Sequence, residues 1–258
     1  MQRQQIFSKP ERETDFDINS KKYKRSILEC LDCGVYNNSH DINLENLYIN
    51  NYNAVTYSDS IKYNYDRIMG LPYSNSDNKQ RVERILKYYH GNNKPLNDID
   101  VLDVGSGLCV FLGELIKYGP KVSCVDPSDI SVKHALENVG VHGAFQGDFF
   151  DIKFNKKYDL ITFNKVLEHV KNPLDMLLKA KSLLSAGGTI YIELPDGKTA
   201  SEKGGFIDRE EFYLEHYTIF SIKSVEFLVR AADLKIDIIE AIHEPSDKYT
   251  VYAFIKCV

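Results

Sequence analysis

Val101-Leu102-Asp103-Val104-Gly105-Ser106-Gly107-Leu108 is an apolar strand that runs into a carboxylate and then into two glycines two residues apart. Only glycine lets a backbone turn this tightly and lie flush against a ligand. The next apolar run, Lys121-Val122-Ser123-Cys124-Val125-Asp126, ends on a second acid. It stands about where a nucleotide-binding βαβ unit places the carboxylate that grips a ribose, so a ribose-bearing ligand is expected. A dinucleotide loop needs Gly-x-Gly-x-x-Gly, whose third glycine lets the helix pack closely beside a pyrophosphate; the position three after Gly107 is Val110. That weakens the reading as an NAD-dependent oxidoreductase.

Outward from this turn the alternation is regular. Strands are expected at 99–104, 121–126, 142–146, 158–163 and 188–194, with helices at 109–118, 129–138 and 173–184. Strands alternating with helices of this length give a parallel, doubly wound α/β sheet. The ending differs: a helix over Ile222 to Ala232 leads to two apolar runs, 235–242 and 249–255, joined by Glu244-Pro245-Ser246-Asp247-Lys248. Strands joined by so short a turn are antiparallel. Upstream, Ser76-Asp77-Asn78 supplies a helix N-cap, Val82, Ile85, Leu86 and Tyr89 recur at helical spacing, and Gly91 stops the run. Residues 1–25 are polar without periodicity and read as a loosely docked arm. The stretch from Ser26 to Tyr73 is rich in tyrosine (Tyr48, Tyr52, Tyr57, Tyr63, Tyr65, Tyr73) but irregular, and reads as a cap or lid. The expected division is an arm and cap over 1–75 and a ligand-binding domain over 76–258.

Composition narrows the partners. The chain has 258 residues and a net charge of -5, with no dense Lys/Arg run, so it lacks the electrostatic footprint of a nucleic-acid binder. Its start, Met1-Gln2-Arg3-Gln4-Gln5, is not a signal sequence, and no apolar run approaches the roughly 20 residues of a membrane span. A soluble cytoplasmic protein is expected. Five cysteines is an odd number, and Cys109, Cys124 and Cys257 sit in apolar patterns, so no disulfide is implied. Cys30-Leu31-Asp32-Cys33-Gly34 has zinc-knuckle spacing, but a closed zinc site needs four ligands. One pair with His40 nearby reads as a knuckle-shaped turn, and no metal is expected.

At Asp103-x-Gly105-x-Gly107 and Asp126 the chain resembles the class I S-adenosylmethionine-dependent methyltransferases, whose first motif is acidic-x-Gly-x-Gly and whose second is a carboxylate at the tip of the next strand. The resemblance implies a seven-stranded, Rossmann-like sheet with its last strand reversed, and S-adenosyl-L-methionine as cofactor. It implies that Asp103 contacts the methionine amino group, that Gly105, Ser106 and Gly107 line the turn, and that Asp126 takes both ribose hydroxyls, with Pro127 beside it. Cys109 stands where the family often has a third glycine. Gly147-Asp148-Phe149 matches the place where an acid and an apolar residue flank the adenine. Asp159 to Val170, with Asn164 before Leu167-Glu168-His169, looks like the fourth-strand motif of the subgroup that includes quinone-biosynthesis and deoxysugar methyltransferases. Ligands bind beyond the carboxyl ends of parallel strands, so Asn164 to His169 are expected at the pocket. Asn-Pro-Pro-Tyr, the mark of methylation at base amino groups, is absent there.

A hydroxyl acceptor has a proton to lose, and a histidine of ordinary pKa is the natural base near neutral pH. His169 and His216 are the candidates, each with the alternative of a packed structural histidine. His216 lies in a segment similar to the family's His-x-x-x-Phe-Ser. Thr56 to Asp59 and Leu71 to Val82 look like segments of methyltransferases of bacterial capsule or lipopolysaccharide sugars. This implies a small-molecule acceptor, a nucleotide sugar, with Tyr57, Lys165 and Tyr217 as its contacts. A quinone precursor, a phosphate-containing capsule modification and a non-catalytic cofactor-binding module are the alternatives. Monomer and homodimer both stay open.

Overall fold

The computed structural model describes residues 2–6, 8–11, 13, 23–42 and 61–258. Tyr48, Tyr52 and Tyr57 lie outside the described residues, as does the segment from Thr56 to Asp59. Three strands open the chain: β1 (Gln2–Ile6), β2 (Arg25–Glu29) and β3 (Tyr36–Ser39). Each pairs antiparallel with the next, and β3 pairs with the later β9 (Thr218–Ile219) to close a four-stranded sheet. Over 2–6, 25–29 and 36–39 the chain is thus strand where the sequence suggested an arm and an irregular stretch. In β2 the consecutive residues Arg25, Ser26 and Ile27 are all buried, so the apolar alternation that marks a half-buried strand is missing.

Helices α1 (Ile61–Met69) and α2 (Asp77–Gly91) follow. The expected start of α2 is present, with Ser76 Oγ accepting from the Lys79 amide at 3.2 Å, and Val82, Ile85 and Tyr89 are buried along one face. Tyr65 of α1 docks on Gly113 of α3 (Val110–Leu115), where a Cβ would lie 2.1 Å from the tyrosine oxygen; only glycine leaves room for it.

The larger sheet is made of β4 (Asp100–Val104), β5 (Lys121–Asp126), β6 (Gly143–Gln146), β7 (Tyr158–Asn164), β8 (Leu184–Pro195), β10 (Leu234–His243) and β11 (Tyr249–Cys257). Its order is β10-β11-β8-β7-β4-β5-β6. β4 pairs in parallel with β5 and β7, and β5 with β6, while β10 and β11 form the antiparallel hairpin, its register shifting between Ile236 and Ile238. The central strands are apolar runs because both faces are covered; Val101, Leu102, Leu160 and Ile161 are all fully buried. Each such side chain contributes about 1.5–3 kcal/mol by leaving water.

Boundaries shift locally. The helix after β4 gives way at Leu115 to a 3₁₀ turn (Ile116–Tyr118), and α4 (Asp129–His134) passes into a π-turn at Ala135–Val139. β8 begins at Leu184, directly after α5 (Pro173–Leu183), four residues before the expected start at 188. Two short-to-medium helices complete the chain, α6 (Gly197–Glu202) and α7 (Ile222–Ala231).

Two compact units result. One comprises Met1–Tyr48, Lys165–Leu178 and Ile192–Val258, and holds the four-stranded sheet and the β10–β11 hairpin. The other comprises Ile49–Asn164 and Lys179–Tyr191, and holds β4 to β7 with α1 to α4. Among the described residues no helix is long and apolar enough to cross a membrane.

Candidate active site

The candidate residues fall into two groups, one in each unit. In the unit built on β4 to β7, the chain leaves β4 through a turn whose Gly105 amide donates to the Val125 carbonyl at 2.8 Å, tying it to β5. Gly105, Gly107 and Cys109 all hold left-handed backbone, with φ of 72°, 50° and 55°. Cys109 thus adopts the conformation that a third glycine would supply, at a cost of about 1–2 kcal/mol for a residue with a Cβ.

Asp126 clamps this turn. One carboxylate oxygen accepts from the Gly107 amide and the other from the Ser128 amide, each at 2.9 Å. Pro127 between them is exposed and has no amide to compete, and Ser128 caps α4 by accepting from Ser131 at 3.2 Å. Burial pushes the Asp126 pKa up, against the two amides, which favour the anion. Each oxygen keeps a further lone pair for a ligand.

Asp103 is 2% exposed. Its Oδ1 accepts from Thr162 Oγ1 at 2.5 Å and from Asn164 Nδ2 at 2.9 Å. Burial nonetheless drives its pKa up to about 7, with Thr162, the Arg81 charge and Asn164 opposing the rise and Asp126 adding to it. Two atoms beside it are conspicuous: Ser106 Oγ and Asn164 Oδ1 are buried and have no hydrogen-bond partner among the described residues. Native structures leave few such groups unpaired.

Asp148 and Phe149 are placed differently. Asp148 is exposed and its Oδ1 accepts from the Phe150 amide at 2.8 Å, a turn-forming bond. Phe149 is buried, edge-on to Phe163 with ring centres 5.9 Å apart, and the Lys179 ammonium lies 5.1 Å from its ring centre. The ring is part of the core of this unit.

In the other unit, Lys165 has φ of 59° and its amide donates to the Glu193 carbonyl at 3.0 Å. Its ammonium, expected to meet an acceptor, instead donates to Thr250 Oγ1 and lies 3.9 Å from Glu244. A 3₁₀ turn (Leu167–His169) follows. His169 Nδ1 is 3.2 Å from the Glu215 carbonyl, and His216 Nδ1 is 2.9 Å from the Glu211 carbonyl. Since a carbonyl only accepts, both Nδ1 atoms carry the proton and each ring presents its lone pair on Nε2. The rings are 4.7 Å apart at 68°. Burial drives the pKa of His169 down to about 3 and that of His216 down to about 4. Burial thus favours the neutral ring in both, below the ordinary imidazole pKa expected of them as bases.

Beside them stands Glu168, 1% exposed, with neither carboxylate oxygen hydrogen-bonded among the described residues and its pKa pushed by burial up to about 7. One ligand atom from each of Glu168, His169 and His216 lies within 4.8 Å of the others. Glu168 lies in the Asn164 to His169 stretch expected at the pocket, but sequence reasoning assigned it no role of its own.

The loop carrying His216 is held by a buried polar network that sequence reasoning also missed. Arg25 lies 3.2 Å from Glu13, with both side chains shut off from solvent, and its guanidinium donates to the Phe212 carbonyl and, at 3.1 Å, to Asn38 Oδ1. Asn38 Nδ2 donates to the carbonyls of Tyr213 at 3.0 Å and His216 at 2.8 Å. Glu13 accepts from the Leu214 amide at 2.8 Å and from Tyr23 at 2.6 Å. Tyr217, expected at the acceptor, stacks on His40 with ring centres 5.9 Å apart. Cys30 and Cys33 shape the β2–β3 turn, in which the Gly34 amide donates to the Cys30 carbonyl at 2.7 Å.

A family model described as a methyltransferase domain matches residues 73–238. The ubiquinone biosynthesis O-methyltransferase of Haemophilus ducreyi is 30% identical over 102 residues, covering 36% of this chain and 43% of that protein. Malonyl-[acyl-carrier protein] O-methyltransferase 1 of Ilyobacter polytropus is 27% identical over 167 residues, covering 60% of this chain and 61% of that protein. The chain thus spans less than two thirds of the length of either curated relative. Magnesium protoporphyrin IX methyltransferase from Synechocystis, solved with bound SAH, superposes with a TM-score of 0.59 at 17% identity, covering 79% of this chain and 97% of that one.

Proposed function

The chain belongs to the methyltransferase-domain family, and from that premise we propose that it transfers a methyl group from S-adenosyl-L-methionine to a hydroxyl of a small polar metabolite. The observation that carries this is the set of buried acceptors around the glycine turn: Asp103, with Asn164 Oδ1 and Ser106 Oγ unpartnered beside it among the described residues. The Asp103 carboxylate and the free oxygen of the Asn164 amide, whose Nδ2 donates to that carboxylate, suit an ammonium group, and the spare lone pairs of Asp126 suit a pair of vicinal hydroxyls. Gly105 and Gly107 let the backbone approach without a Cβ in the way, and the second oxygen of Asp148 suits an exocyclic amine. The bound cofactor supplies a methyl group activated by a positive sulfonium. The protein's part is to hold, orient and shield from water, effects worth roughly 7–11 kcal/mol when alignment is good.

Asp103 sets a pH dependence. It must be ionised to face an ammonium, and in the free protein it holds its proton up to about pH 7. Affinity for S-adenosyl-L-methionine is expected to level off above that pH and to fall roughly tenfold per pH unit below it, the proton being released on binding. The same shift works against folding as pH rises: the unfolded carboxyl ionises near 3.8, so stability from this group declines between there and about 7. Calorimetry across this range checks the first point, and an affinity that does not change with pH removes Asp103 from the contact.

For the acceptor, the finer reading is a nucleotide-activated sugar modified in the cytoplasm on its way to a surface polysaccharide. It is supported by the resemblance of Leu71 to Val82 to sugar methyltransferases. A second reading, a phenolic quinone precursor, is favoured by the ubiquinone O-methyltransferase among the relatives. Titrating S-adenosyl-L-methionine and S-adenosylhomocysteine calorimetrically tests the cofactor. Mass spectrometry after incubation with nucleotide sugars and with dihydroxyphenols tests the acceptor. Binding followed by a methylated sugar supports the reading; indifference to both adenosyl compounds overturns it.

A further inference from the structure

We propose that Glu168, His169 and His216 form a binding site for a divalent transition-metal cation of the zinc class. Three donor atoms lie within 4.8 Å of one another, so a cation placed between them is about 2.8 Å or less from each, and modest side-chain closure brings it to the usual ~2.0–2.2 Å. The donors are two imidazole nitrogens and one carboxylate oxygen. That set suits Zn²⁺, Co²⁺ or Fe²⁺ and disfavours Mg²⁺ and Ca²⁺, which take oxygen throughout.

Two further observations point to a ligand here. Each histidine donates its Nδ1 proton to a backbone carbonyl, Glu215 for one and Glu211 for the other, the outer bond that metal-ligating histidines make to fix ring and tautomer. Glu168 is shut off from solvent with both oxygens unpartnered among the described residues. A carboxylate costs several kcal/mol to bury alone, and a cation relieves that cost. The loop that carries His216 is fixed by the bond from Asn38 to its carbonyl, so the donor does not drift.

Positive charge does reach this place, from Lys165 and Lys248. Each is already paired: Lys248 lies 2.7 Å from Glu210, and Lys165 is bound to Thr250 with Glu244 nearby, while Glu193 adds negative charge. Three protein donors leave room for an exogenous oxygen, the open arrangement of catalytic rather than structural zinc. Resting on the methyl-transfer reading only for the class of ligand, a cation held this way lowers the pKa of an oxygen bound to it.

The full chain, stripped with chelator, is titrated with ZnCl₂ by calorimetry and with CoCl₂ by visible absorption, while S-adenosyl-L-methionine is titrated into the same samples separately. One equivalent of metal is expected, with affinity weakened at least 100-fold in Glu168→Gln and in His169→Gln, both checked for native circular dichroism. A Cys30→Ser/Cys33→Ser variant keeps that equivalent. Absence of binding, full binding in Glu168→Gln, or loss confined to the cysteine variant each overturns the site. Failure of the adenosyl compound alone to bind would count against the methyl-transfer reading and leave the metal result standing.

Discussion

Replacing Asp126 with alanine is expected to weaken S-adenosyl-L-methionine binding by at least ~100-fold, because the ligand's hydroxyls lose charge-assisted hydrogen bonds worth about 1.5–3 kcal/mol each. The loss has a second origin inside the protein. The amides of Gly107 and Ser128 lose the acceptors that now sit 2.9 Å away, so the turn that shapes the site is no longer tied to the end of β5. Asp126→Asn separates the two contributions. It keeps one acceptor oxygen but no negative charge, and an intermediate loss is expected. Calorimetric Kd values for the three proteins, with circular dichroism to confirm native folding, decide the matter; an unchanged Kd in Asp126→Ala removes this residue from the cofactor site.

Arg25→Ala is expected to destabilise its unit by about 3–5 kcal/mol, the usual result of removing one partner of a buried ion pair. Glu13 would then be enclosed and short of its cation, and the Phe212 carbonyl and Asn38 would each lose a donor. At roughly 2–4 °C per kcal/mol for a chain of this size, the melting transition should fall by roughly 6–20 °C. The double change Arg25→Met with Glu13→Leu is expected to cost less than Arg25→Ala alone, since two apolar side chains leave no orphaned charge. Should scanning calorimetry find the double variant the less stable of the two, the pair contributes more than its own desolvation costs, and the network is a net source of stability.

The two variants probe features of different visibility. Asp126 could be read directly, because a carboxylate that ends an apolar run a set distance after a glycine turn is a local pattern in one βαβ unit. The N-cap at Ser76, the stop at Gly91 and the closing hairpin were legible for the same reason: short-range backbone chemistry writes them into neighbouring residues. Arg25, Glu13 and Asn38 were not legible. As isolated residues they look like surface polar groups, and their burial depends on carbonyls of the 212–216 loop nearly two hundred residues away. The same holds for β2 and β3, which bury Arg25 and Asn38 beside the apolar Ile27 and Tyr36.

Cys109 shows a milder case. The family motif often has glycine there, and the sequence alone suggests a bulkier loop; the backbone instead keeps the left-handed bend at φ 55°. Phe149 and Lys165 moved the other way. One joined an aromatic core and the other an internal hydrogen bond, since a ring or an ammonium near a strand end has packing partners that spacing does not reveal.

The linear order of residues was enough to determine the doubly wound sheet with its reversed last strand, the glycine turn and the two acids that flank it, all set by periodicity and by local backbone demands. Folding alone decided the charge states: Asp103 raised, His169 and His216 lowered, Glu168 enclosed without a partner. Protonation answers to the loss of water and to carbonyls brought in from distant segments, and neither is encoded in the spacing of neighbouring residues.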